Sequence, residues 1–182
     1  TIGFLGTKQH TMVDDGTGYV SRHRQDLVQG DDPNFRPVDM EFAPDGSLYI
    51  VDWHNVLIGH MQHNARDPLR DHVHGRIYRL TYPSRPLVEP AKVDGASIGE
   101  LLENLKLPEF RTRSRTRREL RGRDQSEVLS QISTWVEGLD KNDPKYEHYV
   151  LEALWVSWGL NQVDENLLRQ MLEAKDYRAR AA

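Results

Sequence analysis

The spacing of apolar residues changes once along this chain, and that change constrains the fold more than any other feature. In the first half, apolar and polar residues alternate, as in FRPVDMEFAPDGSLYIVDW, which is typical of strands with one buried face. From Ser97 onward the apolar residues recur every three or four positions, which is typical of amphipathic helices. Pro83, Pro86 and Pro90 lie between the two parts and interrupt both helices and strand ladders. The sequence therefore predicts a mixed fold, β then α.

Turn signals divide the first half into short strands. Asp14, Asp15 and Gly16 predict a hairpin, and the run Pro44–Gly46 predicts a tight turn between two further strands. A last strand follows in RIYRLTY. One small sheet of this kind cannot close a core alone, whereas a β-propeller repeats such units side by side. We therefore predict material of a terminal β-propeller blade for residues 1–88 and a proline-containing linker for residues 89–95.

The second half predicts five helices and the first turn of a sixth. Ser97 and Glu100 have the spacing of a capping box at the start of the first helix. Further starts are predicted at Pro108, Asp124, Asp143-Pro144, Asp164 and Tyr177. Short helices with short breaks are typical of stacked helical hairpins. We therefore predict an α-solenoid over residues 96–182.

The connection of residues 52–76 is the part of the chain richest in groups that titrate or bind metals. It reads DWHNVLIGHMQHNARDPLRDHVHGR and holds five of the eight histidines, three arginines and three aspartates. Strand-like runs precede and follow it. Loops of this length in a compact domain commonly carry function or form a binding surface, so this His-rich loop is the candidate functional region.

Residue types leave three interpretations of the His-rich loop open. Imidazole and carboxylate groups suit zinc, copper or iron, and the candidate metal ligands are His54, Asp52, Asp67 and Asp71. Alternatively, the arginines and histidines face an anionic cofactor or substrate, because arginine forks bind carboxylates and histidine accepts protons near neutral pH. In the third interpretation, internal hydrogen bonds order the loop and it binds nothing.

Composition excludes several classes of protein chemistry. Without cysteine, these residues form no disulfide, no thiolate metal site and no covalent c-type haem site. The net charge of −4, about −2 for each half when divided at Val88, argues against a broadly basic nucleic-acid-binding protein. No run of 18 apolar residues predicts a membrane-spanning helix. Because the chain lacks an initiator methionine and stops in helix-like sequence, we expect a piece of a longer protein.

The segment Arg111–Arg123 contains seven arginines in thirteen residues. Such a run could bind phosphate, anionic lipid or polysaccharide. However, its charges fall on more than one helical face, and Glu109, Glu119 and Asp124 are near enough in sequence to pair with them. We therefore predict a solvent-exposed or salt-bridged surface.

Several runs together resemble the planctomycete-type membrane-bound dehydrogenases. The closest resemblance lies in FRPVDMEFAPDGSLYIVDW and IGHMQHNARDPLRDHVHGRIYRLTYPSRPLV, and it continues in the helical PEFRTRSRTRRELRGRD, YEHYVLEALWV and YRARAA. The resemblance implies large exported proteins with a β-propeller similar to quinoprotein glucose and sorbosone dehydrogenases. HEAT-like helical repeats follow in that family, and often a haem-binding domain.

The resemblance implies a periplasmic or otherwise exported oxidoreductase that acts on a sugar or alcohol. PQQ, calcium or haem c would serve the whole protein, and a haem domain or cytochrome would accept the electrons. The chain would hold the last blade and the first HEAT-like repeats, and would be inactive alone. The alternative is a non-catalytic interaction module that binds protein or polysaccharide, because fold alone does not establish activity. We expect no nucleic-acid partner.

The resemblance also extends to the individual residues of the His-rich loop. Four of them match the family pattern and are candidates for cofactor binding: His60, His63, Arg66 and Arg70. We predict His74 and Arg76 as the catalytic pair, since strand alternation would point both to the same side around Gly75. His74 would act as a base, and Arg76 would stabilise an oxyanion or hold a quinone carboxylate.

Overall fold

The structure is a computed structural model that describes residues 4–56 and 67–182. The chain divides into two compact units, residues 1–89 and residues 90–182. Strands build the first unit and helices build the second. The division follows Glu89, inside the proline-containing segment of the sequence.

The described part of the first unit contains seven strands in three antiparallel sheets. They are β1 (Gly6–Thr7), β2 (His10–Asp15), β3 (Gly18–His23), β4 (Val28–Gln29), β5 (Pro37–Phe42), β6 (Leu48–Asp52) and β7 (Arg76–Leu80). β1 pairs with β4, β2 pairs with β3, and β6 lies between β5 and β7 in a three-stranded sheet. The two predicted turns are confirmed: Gly16 and Gly46 connect their strands with φ angles of 61° and 82°.

Strand β6 is the centre of the three-stranded sheet. Its side chains alternate, with Leu48, Ile50 and Asp52 buried and the two between them partly exposed. Phe35 packs edge-on against Tyr78 of β7, with ring centroids 5.5 Å apart. The outer strands are far less covered, because almost every residue of β5 and β7 is exposed.

The prediction of a β-propeller blade was wrong. Within residues 4–56 and 67–89, the sheets have two, two and three strands, and no closed propeller is present. Strands β2 and β3 pair only with each other in this part of the chain, so the hairpin does not extend the β5–β7 sheet toward the four strands of a blade. Alternating apolar residues specify strands, but they do not specify which strands pair.

Six helices form the described second unit. They are α1 (Ile98–Asn104), α2 (Phe110–Arg121), α3 (Gln125–Glu137), α4 (Tyr146–Gly159), α5 (Glu165–Leu172) and α6 (Tyr177–Ala181). The predicted capping box is confirmed, because Ser97 accepts from the N–H of Glu100 while the Glu100 carboxylate accepts from the N–H of Ser97. Asp124 and Asp164 cap α3 and α5 as predicted.

The prediction of an α-solenoid of HEAT-like hairpins was also wrong. Helix α4 contacts α2, α3, α5 and α6, so the helices share one core around α4 rather than stacking as repeats. Side chains on all sides of α4 are buried, including Val150, Leu151, Ala153, Leu154 and Val156. Residues 149–154 of α4 are all buried, which differs from the one-sided apolar stripe of a surface helix. The described residues contain no solenoid.

Candidate functional site

The register of β6 and β7 brings the two ends of the His-rich loop together. Asp52, the last residue of β6, is the direct register partner of Arg76, the first residue of β7. Residues far apart in sequence therefore lie side by side where β6 ends and β7 begins. The candidate site lies at this end of the two strands.

Asp52 is the buried centre of the site. Its Oδ1 accepts hydrogen bonds from the backbone N–H groups of Arg36 at 2.7 Å and of His54 at 2.8 Å. Its Oδ2 is buried and has no hydrogen-bond partner within the residues that the structure describes, although Nη1 of Arg76 lies 3.8 Å away. A buried carboxylate is retained only where charge and donors compensate its desolvation. Asp52 therefore holds the backbone of the site in place and offers a negative charge to Arg76.

His54 lies between the carboxylates and Arg76. Its backbone is left-handed, with a φ of 54°, and its side chain is buried. The guanidinium of Arg76 donates to Nδ1 of His54, and Nε2 of His54 lies 3.6 Å from Oδ2 of Asp71. The donor at Nδ1 favours the neutral tautomer with its proton on Nε2. Left-handed non-glycine residues are uncommon and occur often at functional sites.

Asp71 and His74 form a carboxylate–imidazole pair. Nδ1 of His74 lies 2.8 Å from Oδ2 of Asp71. The Asp71 carboxylate also accepts from the backbone N–H groups of Val73 and His74, and these bonds, with that of the His74 ring, hold the pKa of Asp71 well below its usual range. Asp71 therefore stays ionised near neutral pH. It directs the His74 proton to Nδ1 and leaves Nε2 as the basic nitrogen.

The exposed side of this pair is accessible to a ligand. The His74 side chain is 69% exposed, and among the described residues no hydrogen bond reaches its Nε2. Its ring lies edge-on to the buried ring of His54, with centroids 6.3 Å apart. The arrangement can accept a proton from a hydroxyl group at Nε2 of His74, because a carboxylate at Nδ1 stabilises the imidazolium that forms.

The two residues predicted as the catalytic pair both reach His54. Arg76 donates to the His54 ring, and the His74 ring lies edge-on to the same ring. Arg76 is also 3.6 Å from Asp32, so two carboxylates neutralise its charge. The sequence prediction placed His74 and Arg76 together but gave no role to Asp32 or Arg36. No local signal links these two residues to the loop, since the link arises from chain packing.

The site residues described above, Asp32, Arg36, Asp52, His54, Asp71, His74 and Arg76, are referred to as the cluster. The other predicted residues of the His-rich loop lie apart from the cluster or outside the described residues. Asp67 accepts from the backbone of Leu69 and stabilises a local turn. The guanidinium of Arg70 lies 5.0 Å from the ring centroid of Trp53. Three predicted cofactor-binding residues lie outside the described residues: His60, His63 and Arg66.

The described residues assemble no metal centre. Across residues 4–56 and 67–182, no group of three His, Asp or Glu side chains converges closely enough to hold an ion. Asp52 and His54 are candidate ligands, but Nδ1 of His54 already accepts from Arg76 and lies 4.0 Å from Oδ2 of Asp52. Metal binding by the His-rich loop therefore stays a prediction, and it would need ligands from loop residues outside the described ranges.

An open cavity of about 240 Å³ shares Asp32 with the cluster. Its walls are mainly apolar and include Phe35, Ile50, Tyr78 and Leu80, and Asp31 and Asp32 supply the carboxylates. Apolar and aromatic walls with a few polar groups are typical of small-molecule sites. A ligand here would lie next to the residues that hold Arg76.

Residues 7–84 match a family model described as Domain of unknown function (DUF7133). The match covers fewer than half of the residues and includes the His-rich loop and all of the cluster. No curated protein and no solved structure matches the chain. Within the described part of the chain, no helix has both the length and the apolar composition needed to cross a bilayer.

Proposed function

We propose that the strand-built unit forms part of the active site of an oxidoreductase that acts on a hydroxyl group of a sugar or alcohol. In this proposal Nε2 of His74 accepts the hydroxyl proton. An oxidised cofactor would accept a hydride from the same carbon, so that the alcohol would become a carbonyl compound. The observation that carries the proposal is the 2.8 Å contact between Asp71 and His74.

Three features support the assignment of His74 as the base. The Asp71 carboxylate keeps the Nδ1 proton in place, the opposite nitrogen faces solvent, and the backbone around Asp71 is held by two hydrogen bonds. His54 is less suited to proton transfer from a substrate, because it is buried and Arg76 occupies its Nδ1. A positioned imidazole base contributes roughly 100- to 10,000-fold to a rate.

Arg76 is better suited to positioning than to holding a cofactor carboxylate. Asp32 and Asp52 both lie within 4 Å of its guanidinium, so an added carboxylate would have to compete with them. The described residues therefore do not fit a carboxylate-bearing quinone such as PQQ at Arg76. In the proposal Arg76 orients His54, against which the His74 ring packs.

The test replaces His74 in the full-length protein and measures dye-linked oxidation of sugars and alcohols. We expect His74→Ala and His74→Gln to lower kcat at least about 100-fold while the unfolding temperature changes little, because the His74 ring is exposed. His72→Ala is the matched control, since His72 is an exposed histidine two residues away. It should keep normal turnover.

Two outcomes would refute the assignment. Unchanged turnover of His74→Ala would remove His74 from the reaction. A large loss of thermal stability in His74→Gln with normal turnover would show that the Asp71–His74 pair only braces the loop.

A non-catalytic interaction module is the second candidate function. The observation that favours it is the apolar exposure of strand β5, where Val38, Met40 and Phe42 are all exposed and Phe42 is 56% exposed. Exposed apolar groups on one strand are typical of protein-binding surfaces. If that candidate is right, Met40→Ser/Phe42→Ser will abolish capture of a protein partner, and the His74 variants will leave capture unchanged.

A further inference from the structure

The arginines of helix α2 divide into two structural sets. Arg113 and Arg117 are ion-paired with the fully buried carboxylate of Glu152 on α4. Arg123, just beyond the helix, pairs with Glu119 and donates to the carbonyl of Ala96. These three residues therefore have structural partners inside the helical unit.

The second set, Arg111, Arg115, Arg118 and Arg121, lines an open groove along α2, which Arg117 of the first set also borders. The groove measures about 420 Å³ and is lined by Phe110, Arg111, Ser114, Arg115, Arg117, Arg118 and Arg121. Ser114, Arg115, Arg118 and Arg121 are exposed, and Phe110 is 61% exposed. Positions spaced by three or four residues share one face of a helix. The groove is thus a stripe of guanidinium groups that begins at an exposed aromatic ring.

Three arginines of the groove, Arg115, Arg118 and Arg121, form no ion pair in the described part of the chain. Among the residues that the structure describes, none places a carboxylate oxygen within 4.0 Å of Arg115, Arg118 or Arg121. Like charges at i, i+3 and i, i+4 destabilise a helix. Within the described ranges, the Glu109 carboxylate attracts Arg115 electrostatically but forms no ion pair with it. This clustered positive charge indicates an anionic ligand.

Arg121 is held by packing rather than by charge. A Cβ atom added at Gly159, the last residue of α4, would lie 3.2 Å from Nη2 of Arg121. The guanidinium therefore rests over a position that has no side chain. This packing orients Arg121 at the end of the stripe.

We propose that the α2 groove binds an acidic peptide segment of a partner protein. Arginine forks bind carboxylates through paired hydrogen bonds. From Arg111 to Arg121 the stripe rises about 15 Å along the helix, the length of four or five residues of extended peptide. Phe110 provides an apolar contact for a side chain next to the acidic run.

The charge of the unit favours a short peptide over a nucleic acid. Residues 90–182 contain 15 Lys and Arg and 16 Asp and Glu, a net charge of −1. A long polyanion extends past the stripe and meets this acidic remainder, whereas a peptide of a few residues does not. Nucleic-acid-binding domains are commonly basic overall.

The test measures fluorescence anisotropy of a labelled Trp-Glu-Asp-Glu-Glu-Asp peptide with the 182-residue chain at low salt. We expect a dissociation constant on the order of 10 µM. The triple variant Arg115→Gln/Arg118→Gln/Arg121→Gln should weaken binding at least about 30-fold, because the loss of each exposed ion pair costs about threefold. The single variant Arg118→Glu should weaken it in the same direction.

The control variant Lys141→Gln/Lys145→Gln/Arg169→Gln removes the same charge from exposed positions outside the groove. It should bind the peptide within about twofold of the unchanged chain. A Trp-Gln-Asn-Gln-Gln-Asn peptide tests whether binding requires carboxylates. An oligothymidylate and a heparin oligosaccharide of similar length test the other polyanions.

Three results would overturn the proposal. The first is absence of binding by the acidic peptide. The second is equal weakening in the groove and control variants, which would indicate only a general charge effect. The third is tighter binding of oligothymidylate or heparin than of the peptide, which would assign the groove to a different macromolecule.

Discussion

Glu152 accepts a hydrogen bond from Nε of Arg113 at 2.9 Å, although its side chain is completely buried in helix α4. Arg117 donates to the other carboxylate oxygen, and Trp155 lies beside the Arg117 guanidinium, 5.1 Å from it to the ring centroid. Two arginines from the most basic segment of the chain thus share one buried carboxylate. Helices α2 and α4 are joined through this triad.

We expect Glu152→Gln to lower the free energy of unfolding of the helical unit by about 3 kcal/mol, because the substitution leaves two mostly buried guanidinium groups without a counter-charge. The measurement is urea unfolding followed by circular dichroism. Glu165→Gln is the matched control: its 79%-exposed carboxylate pairs with Arg169 at the surface, so its loss should cost less than about 0.5 kcal/mol. Equal effects of the two variants would contradict the structural role of Glu152.

We expect His148 to make the helical unit less stable at mildly acidic pH. Burial lowers the pKa of His148 below 6.5, and Arg113 acts in the same direction although Glu152 opposes it. The folded state therefore binds the proton less well than the unfolded state, so stability falls as pH drops below about 6.5 and levels off below the folded pKa. Unfolding temperatures measured from about pH 7.5 to 5 should fall more steeply for the unchanged chain than for His148→Gln. Parallel curves would refute this.

The left-handed backbone at His54 predicts an unusual order of stability. We expect His54→Gly to be more stable than His54→Ala by about 1 kcal/mol, since glycine adopts a φ near 54° without steric cost. At His72, where φ is not positive, the order should be reversed. Thermal unfolding of the four variants tests this, and the same order at both positions would show that the His54 backbone is not strained.

We expect residues 90–182 to fold alone and residues 1–89 to aggregate when expressed alone. The helical unit has a continuous core that includes Leu101, Leu120, Val128 and Val150, all fully buried. In the strand-built unit, β5 and β7 leave apolar side chains and strand edges exposed. A thermal scan should show one cooperative helical transition for residues 90–182. A gradual loss of signal, or a soluble and cooperative fold for residues 1–89, would be the opposite result.

The sequence by itself determined the helix starts and turns of this protein, because these depend on residues close together in the chain. The capping box of Ser97 and Glu100 fits only a helix start, and the turn at Pro44–Gly46 needs a residue with positive φ, so neither depends on distant contacts. The choice of His74 and Arg76 also came from local alternation around Gly75. Both residues do reach the same partner, His54.

Only the tertiary structure decided how these elements and groups assemble. Alternation of apolar residues does not specify which strands pair, and β2 and β3 form a separate hairpin where a propeller blade was predicted. Burial of α4 produces one shared helical core where a solenoid was predicted. The β6–β7 register places Asp52 opposite Arg76, and tertiary packing brings Asp32 within 3.6 Å of the Arg76 guanidinium. The arginine segment shows the same limit, because burial of Glu152 decided which guanidinium groups are paired and which line the groove. Local sequence sets backbone preference, whereas pairing and burial depend on residues distant in the chain.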